Sequence, residues 1–278
     1  MKQWLKISAL VLILFAMVGC RKANQESKEP TEGKEPYNQV EGVTGAVKDS
    51  EFTLPQDAPT QGVEPQGDQA KNVIIALDAG HGGKFGGASH SGMVEKDLTL
   101  KMANYVKEYL ENHYTGMEVY LVRNEDISLS NDVKEDLELR AEFAKNVGAD
   151  VLVSLHFNAS EEHTQKGAMI LVSHRENVTE RSKELGSLIL KEIESLGIKN
   201  NGNVTRNSND LFDDAGKPLD YYAINRHCAA RDIPGIIVEH CYMDNANDQQ
   251  YIDSEEDLRA LAKADAVGIA KYFGLATK

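Results

Sequence analysis

In the folded part of the chain, many apolar residues lie in short, uninterrupted runs that are rich in β-branched residues. Continuous rather than alternating hydrophobicity indicates strands that are buried on both faces, as in a sheet covered by helices. The pattern predicts five strands, within residues 73–77, 119–122, 151–155, 168–172 and 236–238.

Between these runs the apolar residues recur every three or four positions, which predicts helices. Four helices are expected, within 98–110, 137–147, 185–196 and 254–273. Gly148 and Gly197 stand where helix-ending glycines are expected, and Ser254 with Asp257 forms a capping signal for the last helix. Strands alternate with helices, so the chain predicts a single α/β domain with a largely parallel sheet.

The first twenty residues have the pattern of a secretory signal. Lys2 and Lys6 precede an apolar stretch that ends in MVGC, and the stretch is short for a membrane span. The ending resembles a bacterial lipobox, with Cys20 as the lipidated residue, although Met17 stands where leucine is more usual. An uncleaved anchor or a plain secreted protein is the alternative. Every version places the protein outside the cytoplasm, and the lipidated one anchors it to the outer face of the cytoplasmic membrane.

Residues 21–70 differ sharply in composition from the rest. They hold five of the seven prolines, are rich in Glu, Gln and Gly, and show no hydrophobic period. Such a segment buries too little apolar surface to offset the entropy lost on ordering, so it is expected to be a disordered tether. Coil scaling gives it an average span of roughly 40 Å. A folded domain is then expected at 71–278.

Charge narrows the range of partners. The chain carries −14 overall, of which about −11 belongs to residues 71–278. A domain this acidic is a poor candidate for binding nucleic acid or anionic lipid. If Cys20 carries lipid, Cys228 and Cys241 remain, either as a disulfide or as two buried thiols, and their spacing does not indicate a metal site.

Three predicted strands end in a group that can bind a metal or transfer a proton. His81 follows the first strand in VIIALDAGHGG, His156 lies in VLVSLHFNAS, and Glu239 lies in IIVEHCYMDN. Parallel strands bring their carboxyl ends to one edge of a sheet, where function gathers. Two imidazoles and one carboxylate with an open position form a catalytic zinc site. From the residue types, either Glu95 or Glu239 could be the carboxylate ligand, and the other the general base.

Each of these residues has a simpler interpretation when taken alone. His81 in a glycine turn could be a structural hydrogen-bonding group, and His156 a core histidine. Glu95 could be an acid favoured by the helix dipole. GHGG could hold a phosphate, but it lacks the spacing of the known phosphate loops. Only their joint occurrence at strand ends indicates a metal site.

Five stretches, in the same order over nearly all of the folded part, resemble the zinc-dependent N-acetylmuramoyl-L-alanine amidases of the amidase-3 type. They are ALDAGHGG, GMVEKDLTLKMA, VRNEDISLS, LRAEFAKNVGADVLVSLHFNAS and IPGIIVEHCYMDN.

The resemblance implies His81, Glu95 and His156 as ligands of one zinc ion, and Glu239 as the catalytic glutamate. It also implies a mixed sheet of about six strands flanked by helices on both faces. The implied substrate is peptidoglycan, cut at the amide between N-acetylmuramic acid and L-alanine for wall remodelling or turnover. Asn158 is expected either to contact substrate or to stabilise a turn.

The sequence departs from the family pattern at two places. Lys145 stands where an asparagine is usual, and His240, Cys241 and Tyr242 replace the usual residues after the glutamate. Neither change removes a ligand or the base. A wall-binding lipoprotein of the same fold that does not cleave, and a zinc peptidase acting within stem peptides, are the alternative functions.

Overall fold

The computed structural model describes residues 72–278. The predicted signal and tether, together with Cys20, lie outside the described residues. Within them, none of the helices combines the length and apolar character needed to cross a membrane.

The described strands, in chain order, are β1 (Val73–Ala79), β2 (Ser89–His90), β3 (Met93–Val94), β4 (Met117–Leu121), β5 (Val151–Asn158), β6 (Ala168–Val172), β7 (Asn200–Val204), β8 (Asn207–Phe212), β9 (Pro218–Asp220) and β10 (Gly235–Tyr242).

Six of these strands form one sheet in the order β4-β1-β5-β10-β6-β7. The pairs β1–β4, β1–β5, β5–β10 and β6–β7 are parallel, and β10–β6 is antiparallel. The sheet is therefore mixed and mostly parallel, as expected. The carboxyl ends of β1, β5 and β10 lie side by side at one edge because these three strands are neighbours.

The described helices are α1 (Glu95–His113), α2 (Val133–Asn146), α3 (Thr179–Ser195), α4 (Ala223–Ala229), α5 (Ala246–Gln249) and α6 (Glu255–Phe273).

The predicted helix ends are confirmed. Ser254 caps α6 and forms the capping box with Asp257. Gly148 and Gly197 follow the ends of α2 and α3 with φ of 72° and 96°, the left-handed backbone in which glycine commonly ends a helix.

Both faces of the sheet are covered, because alternate residues of the strands point to two separate apolar cores. The larger core includes Ile75, Val153 and Ile236, together with apolar residues of α1, α3 and α6. The smaller one includes Ala76 and Leu152, together with residues of α2 and α4. This two-sided burial explains why the strand sequences are apolar without alternation.

Six small elements (β2, β3, β8, β9, α4 and α5) and one edge strand were not predicted. β2 pairs with β3, and β8 with β9, as separate two-stranded sheets. β7 has the polar sequence NNGNV and none of its residues is fully buried, because it lies at the sheet edge. The thiols of Cys228 and Cys241 are both free and buried, in agreement with the second of the two alternatives.

Candidate metal and catalytic site

The site lies at the sheet edge where β1, β5 and β10 end. His81 comes two residues after β1, while His156 and Glu239 lie within β5 and β10. His156 and Glu239 are direct partners in the parallel register of the two strands, so their backbones are about 4.8 Å apart. The topology brings together three residues that are widely separated in sequence.

His81 has an unusual backbone. Its φ of 63° places it in the left-handed region, which residues with a side chain seldom adopt. The buried guanidinium of Arg140 donates a hydrogen bond of 2.6 Å from Nη2 to the carbonyl oxygen of His81. This contact stabilises the turn that directs the imidazole into the site.

Glu95 is the first residue of α1 and reaches the site from the other side. Its carboxylate accepts hydrogen bonds from the backbone amides of Ala88, at 2.9 Å, and Phe157, at 3.2 Å. Each amide holds one of the two carboxylate oxygens, so the orientation of the group is fixed by main chain from two different elements.

The three side chains converge. His81 Nε2 lies 3.0 Å from Glu95 Oε2, and His156 Nδ1 lies 3.0 Å from Glu95 Oε1. One ligand atom from each residue lies within 4.8 Å of the other two, an arrangement that could hold a metal ion. The imidazoles are partly open to solvent, at 19% and 17% exposure, so a small molecule can approach this point.

The donor set fits zinc. Two imidazole nitrogens and one carboxylate oxygen are a ligand set of zinc hydrolases, which leave a further position for water or substrate. Burial by itself raises the pKa of Glu95, but the two imidazoles outweigh it and hold that pKa well below its ordinary value. The carboxylate is therefore ionised, as a ligand must be.

Two glycines leave room for these side chains. A Cβ on Gly80 would collide with the imidazole ring of His156, and a Cβ on Gly87 would collide with Glu95 and His81. In the structure, the two glycines make space for the site's own side chains.

Asn158 is the last residue of β5, two positions beyond His156. Its side-chain Oδ1 accepts a hydrogen bond of 3.0 Å from the amide of Ala159, which is the turn-stabilising contact of one of the two expectations. Contact with substrate stays a prediction for this residue.

The residues that depart from the family pattern do not enter the metal cluster. Lys145 is exposed on α2. His240 is fully buried, with one ring nitrogen 2.8 Å from the carbonyl oxygen of His156 and the other 2.7 Å from Asp265. It thus joins the strand of the site to α6.

Sequence reasoning missed the charged network beneath the site. Arg140 is buried and binds Asp78 and Asp136, each at 2.7 Å. Arg123, also buried, donates to the carbonyl oxygens of Ala79 and Gly80. A buried arginine needs carboxylates or carbonyls close by, but the sequence does not show which ones the fold provides.

Known proteins of similar sequence include N-acetylmuramoyl-L-alanine amidases. The family model of N-acetylmuramoyl-L-alanine amidase (Amidase_3) matches residues 75–271. The N-acetylmuramoyl-L-alanine amidase CwlM of Bacillus licheniformis is 28% identical over 208 residues, covering 73% of this chain and 70% of the relative. The sporulation-specific N-acetylmuramoyl-L-alanine amidase of Bacillus subtilis is 27% identical over 203 residues, covering 73% and 69%.

Solved structures agree with the fold. The catalytic domain of CwlV, an amidase of Paenibacillus polymyxa, has a TM-score of 0.59 at 26% identity and covers 73% of this chain and 99% of its own. The CwlD amidase of Clostridioides difficile, solved in complex with the GerS lipoprotein, has a TM-score of 0.61 at 27% identity with the same coverage.

Proposed function

Because the chain belongs to the N-acetylmuramoyl-L-alanine amidase family of the amidase-3 type, we propose that it is a zinc-dependent member that hydrolyses the amide between N-acetylmuramic acid and L-alanine in peptidoglycan. His81, Glu95 and His156 are the proposed zinc ligands, and Glu239 is the proposed general base. The observation that carries the proposal is the convergence of one ligand atom from each of the three side chains within 4.8 Å, with Glu239 paired in register to His156.

The chemistry that zinc supplies when bound is Lewis-acid polarisation of the amide carbonyl and acidification of a water. Glu239 takes the proton from the attacking water and passes it to the departing amine of L-alanine. Glu95 and the two imidazoles are already oriented by backbone contacts and by each other, so little reorganisation is needed when the site is loaded.

We further propose where the enzyme works. Lipid on Cys20 would anchor it to the outer face of the cytoplasmic membrane, and the tether 21–70 would let the domain reach wall within several nanometres. Cleavage confined to this zone suits remodelling or turnover of peptidoglycan. Replacing Cys20 by alanine should release the protein from the membrane fraction, and unchanged membrane retention would remove the anchor from the proposal.

The proposal is tested on purified peptidoglycan. The protein is incubated with the polymer with and without a zinc chelator, and the soluble products are identified by mass spectrometry. Stem peptides that begin with L-alanine, lost with the chelator and regained when zinc is returned, are expected. Fragments cut within the stem would indicate the peptidase alternative. Binding to the polymer with no cleavage under any metal condition would indicate the wall-binding alternative.

A further inference from the structure

A buried chain of hydrogen bonds starts at the imidazole of His156 and leads away from the metal cluster. His156 Nε2 lies 3.2 Å from the hydroxyl of Ser154, and that hydroxyl donates to Asp78 Oδ2 at 2.6 Å. Asp78 Oδ1 in turn accepts from Arg140 at 2.7 Å. Ser154, Asp78 and Arg140 are each at most 1% exposed, so water does not compete for these bonds.

The direction of each bond follows from the groups involved. Burial by itself raises the pKa of Asp78, but Arg140 and the Ser154 hydroxyl outweigh it and bring that pKa below its ordinary value. The carboxylate is therefore ionised and can only accept, so the single proton of the Ser154 hydroxyl goes to Asp78. The hydroxyl then has only lone pairs left for His156, and the ring must donate from Nε2.

This assignment determines what the other ring nitrogen does. With Nε2 committed as a donor to Ser154, Nδ1 is the ring nitrogen left to face the metal position, and it lies 3.0 Å from Glu95 Oε1. The same bond also fixes the plane of the ring. Partners of this kind on the far nitrogen of a metal-binding histidine set its tautomer and increase its basicity.

We infer that Ser154 and Asp78 are positioning residues for the metal site, which hold the His156 ring through its Nε2 proton so that Nδ1 is directed at the metal position. Arg140 serves the same arrangement, because it binds Asp78 and also the carbonyl oxygen of His81. One buried guanidinium thus helps to orient both imidazoles, that of His81 through its carbonyl oxygen and that of His156 through Asp78 and Ser154. The inference rests on the proposed zinc function and concerns two residues without a direct bond to zinc or substrate.

The test compares two buried serines. Ser154→Ala removes the acceptor for His156. Ser173→Ala is the matched control, since Ser173 is also fully buried and donates to a carboxylate, Asp220, at 2.6 Å, but has no contact with the metal cluster. Zinc affinity is measured by competition with a fluorescent chelator, and thermal melting is recorded for both variants.

Ser154→Ala should weaken zinc binding by about 10- to 100-fold, with Ser173→Ala unchanged and Ser154→Thr, which keeps the hydroxyl, close to wild type. Equal zinc affinity of Ser154→Ala and wild type would overturn the inference. A wild-type protein that binds no zinc would instead refute the proposed function, so the two failures are distinguishable.

A second measurement needs no variant. Nitrogen-15 NMR of the histidine rings in the wild-type protein, after chelator treatment and after zinc addition, reports which nitrogen of His156 carries the proton. The expected signal is a proton on Nε2 in both conditions. An Nε2 without a proton in either condition would overturn the inference even if Ser154→Ala failed to fold.

Discussion

Replacing Gly80 by alanine should disable the site by displacing one of its imidazoles. An ideal Cβ on Gly80 would lie 2.8 Å from Cδ2 of the His156 ring and closer still to Cε1 and Nε2. Non-bonded carbons favour separations of about 3.5–4.0 Å, so the ring would have to retreat by roughly 1 Å. The backbone itself is no obstacle, because Gly80 is not among the residues with positive φ.

The size of the effect follows from this displacement. Metal–ligand distances tolerate deviations of about 0.2 Å, and a misplacement of about 1 Å in a catalytic arrangement can reduce the rate about 100-fold. Overpacking of this kind typically costs about 1–3 kcal/mol of stability, which a domain of this size can survive. The variant should therefore fold with a lower melting midpoint, bind zinc weakly and lose activity by about two orders of magnitude.

The assay includes a matched substitution in the same glycine-rich segment. A Cβ on Gly86 would meet only Val94, at an ordinary 3.7 Å, so Gly86→Ala should keep zinc and activity. Zinc content per chain, release of stem peptides and thermal melting are measured for both variants and the wild type. If Gly80→Ala kept both its zinc and its rate, His156 would not act from the position that the structure gives it.

Three further predictions concern the proposed base Glu239, the buried His240 and the two buried cysteines. Glu239→Gln should lower the rate of peptide release by about 10²- to 10⁴-fold with zinc content unchanged, and loss of zinc instead would mean that Glu239 is a ligand. Burial by itself lowers the pKa of His240, but Asp265 outweighs burial and raises that pKa. The contact between protonated His240 and Asp265 therefore stabilises the fold fully below about pH 6.5, and this stabilisation is lost as pH rises through the raised pKa. The melting midpoint should consequently fall less between pH 6 and 9 in His240→Gln than in wild type, and parallel curves would contradict this. Burial raises the pKa of Cys228 to about 12 and that of Cys241 well above its ordinary value, so a thiol reagent should label both only on unfolding, and rapid labelling of the folded protein would contradict their burial.

Much of the sheet could be predicted because its strands are buried on both faces. The runs 73–77 and 151–155 are apolar at nearly every position, and their bounds in the structure differ only at the ends. β7 was missed because an edge strand with a polar sequence carries no such signal. The hairpins β2–β3 and β8–β9 were missed because β2, β3 and β9 are only two or three residues long and β8 has the mostly polar sequence NSNDLF.

The candidate site, too, could be predicted from the sequence only in part. His81, His156 and Glu239 could be placed together because parallel neighbouring strands end at one edge. The contacts of Ser154, Asp78 and Arg140 could not be predicted, since they depend on the register between β1 and β5 and on the position of α2 against them. Registers and helix positions are set by packing across the whole domain, which a linear pattern does not record.

The central claim is tested most directly by returning zinc in steps to protein from which metal has been removed, while stem peptides beginning with L-alanine are measured. The account predicts a rate that rises in proportion to bound zinc and becomes constant at one equivalent, with no such rise in His81→Ala. Full activity before any zinc is added, or a rise that is unchanged in His81→Ala, would contradict it.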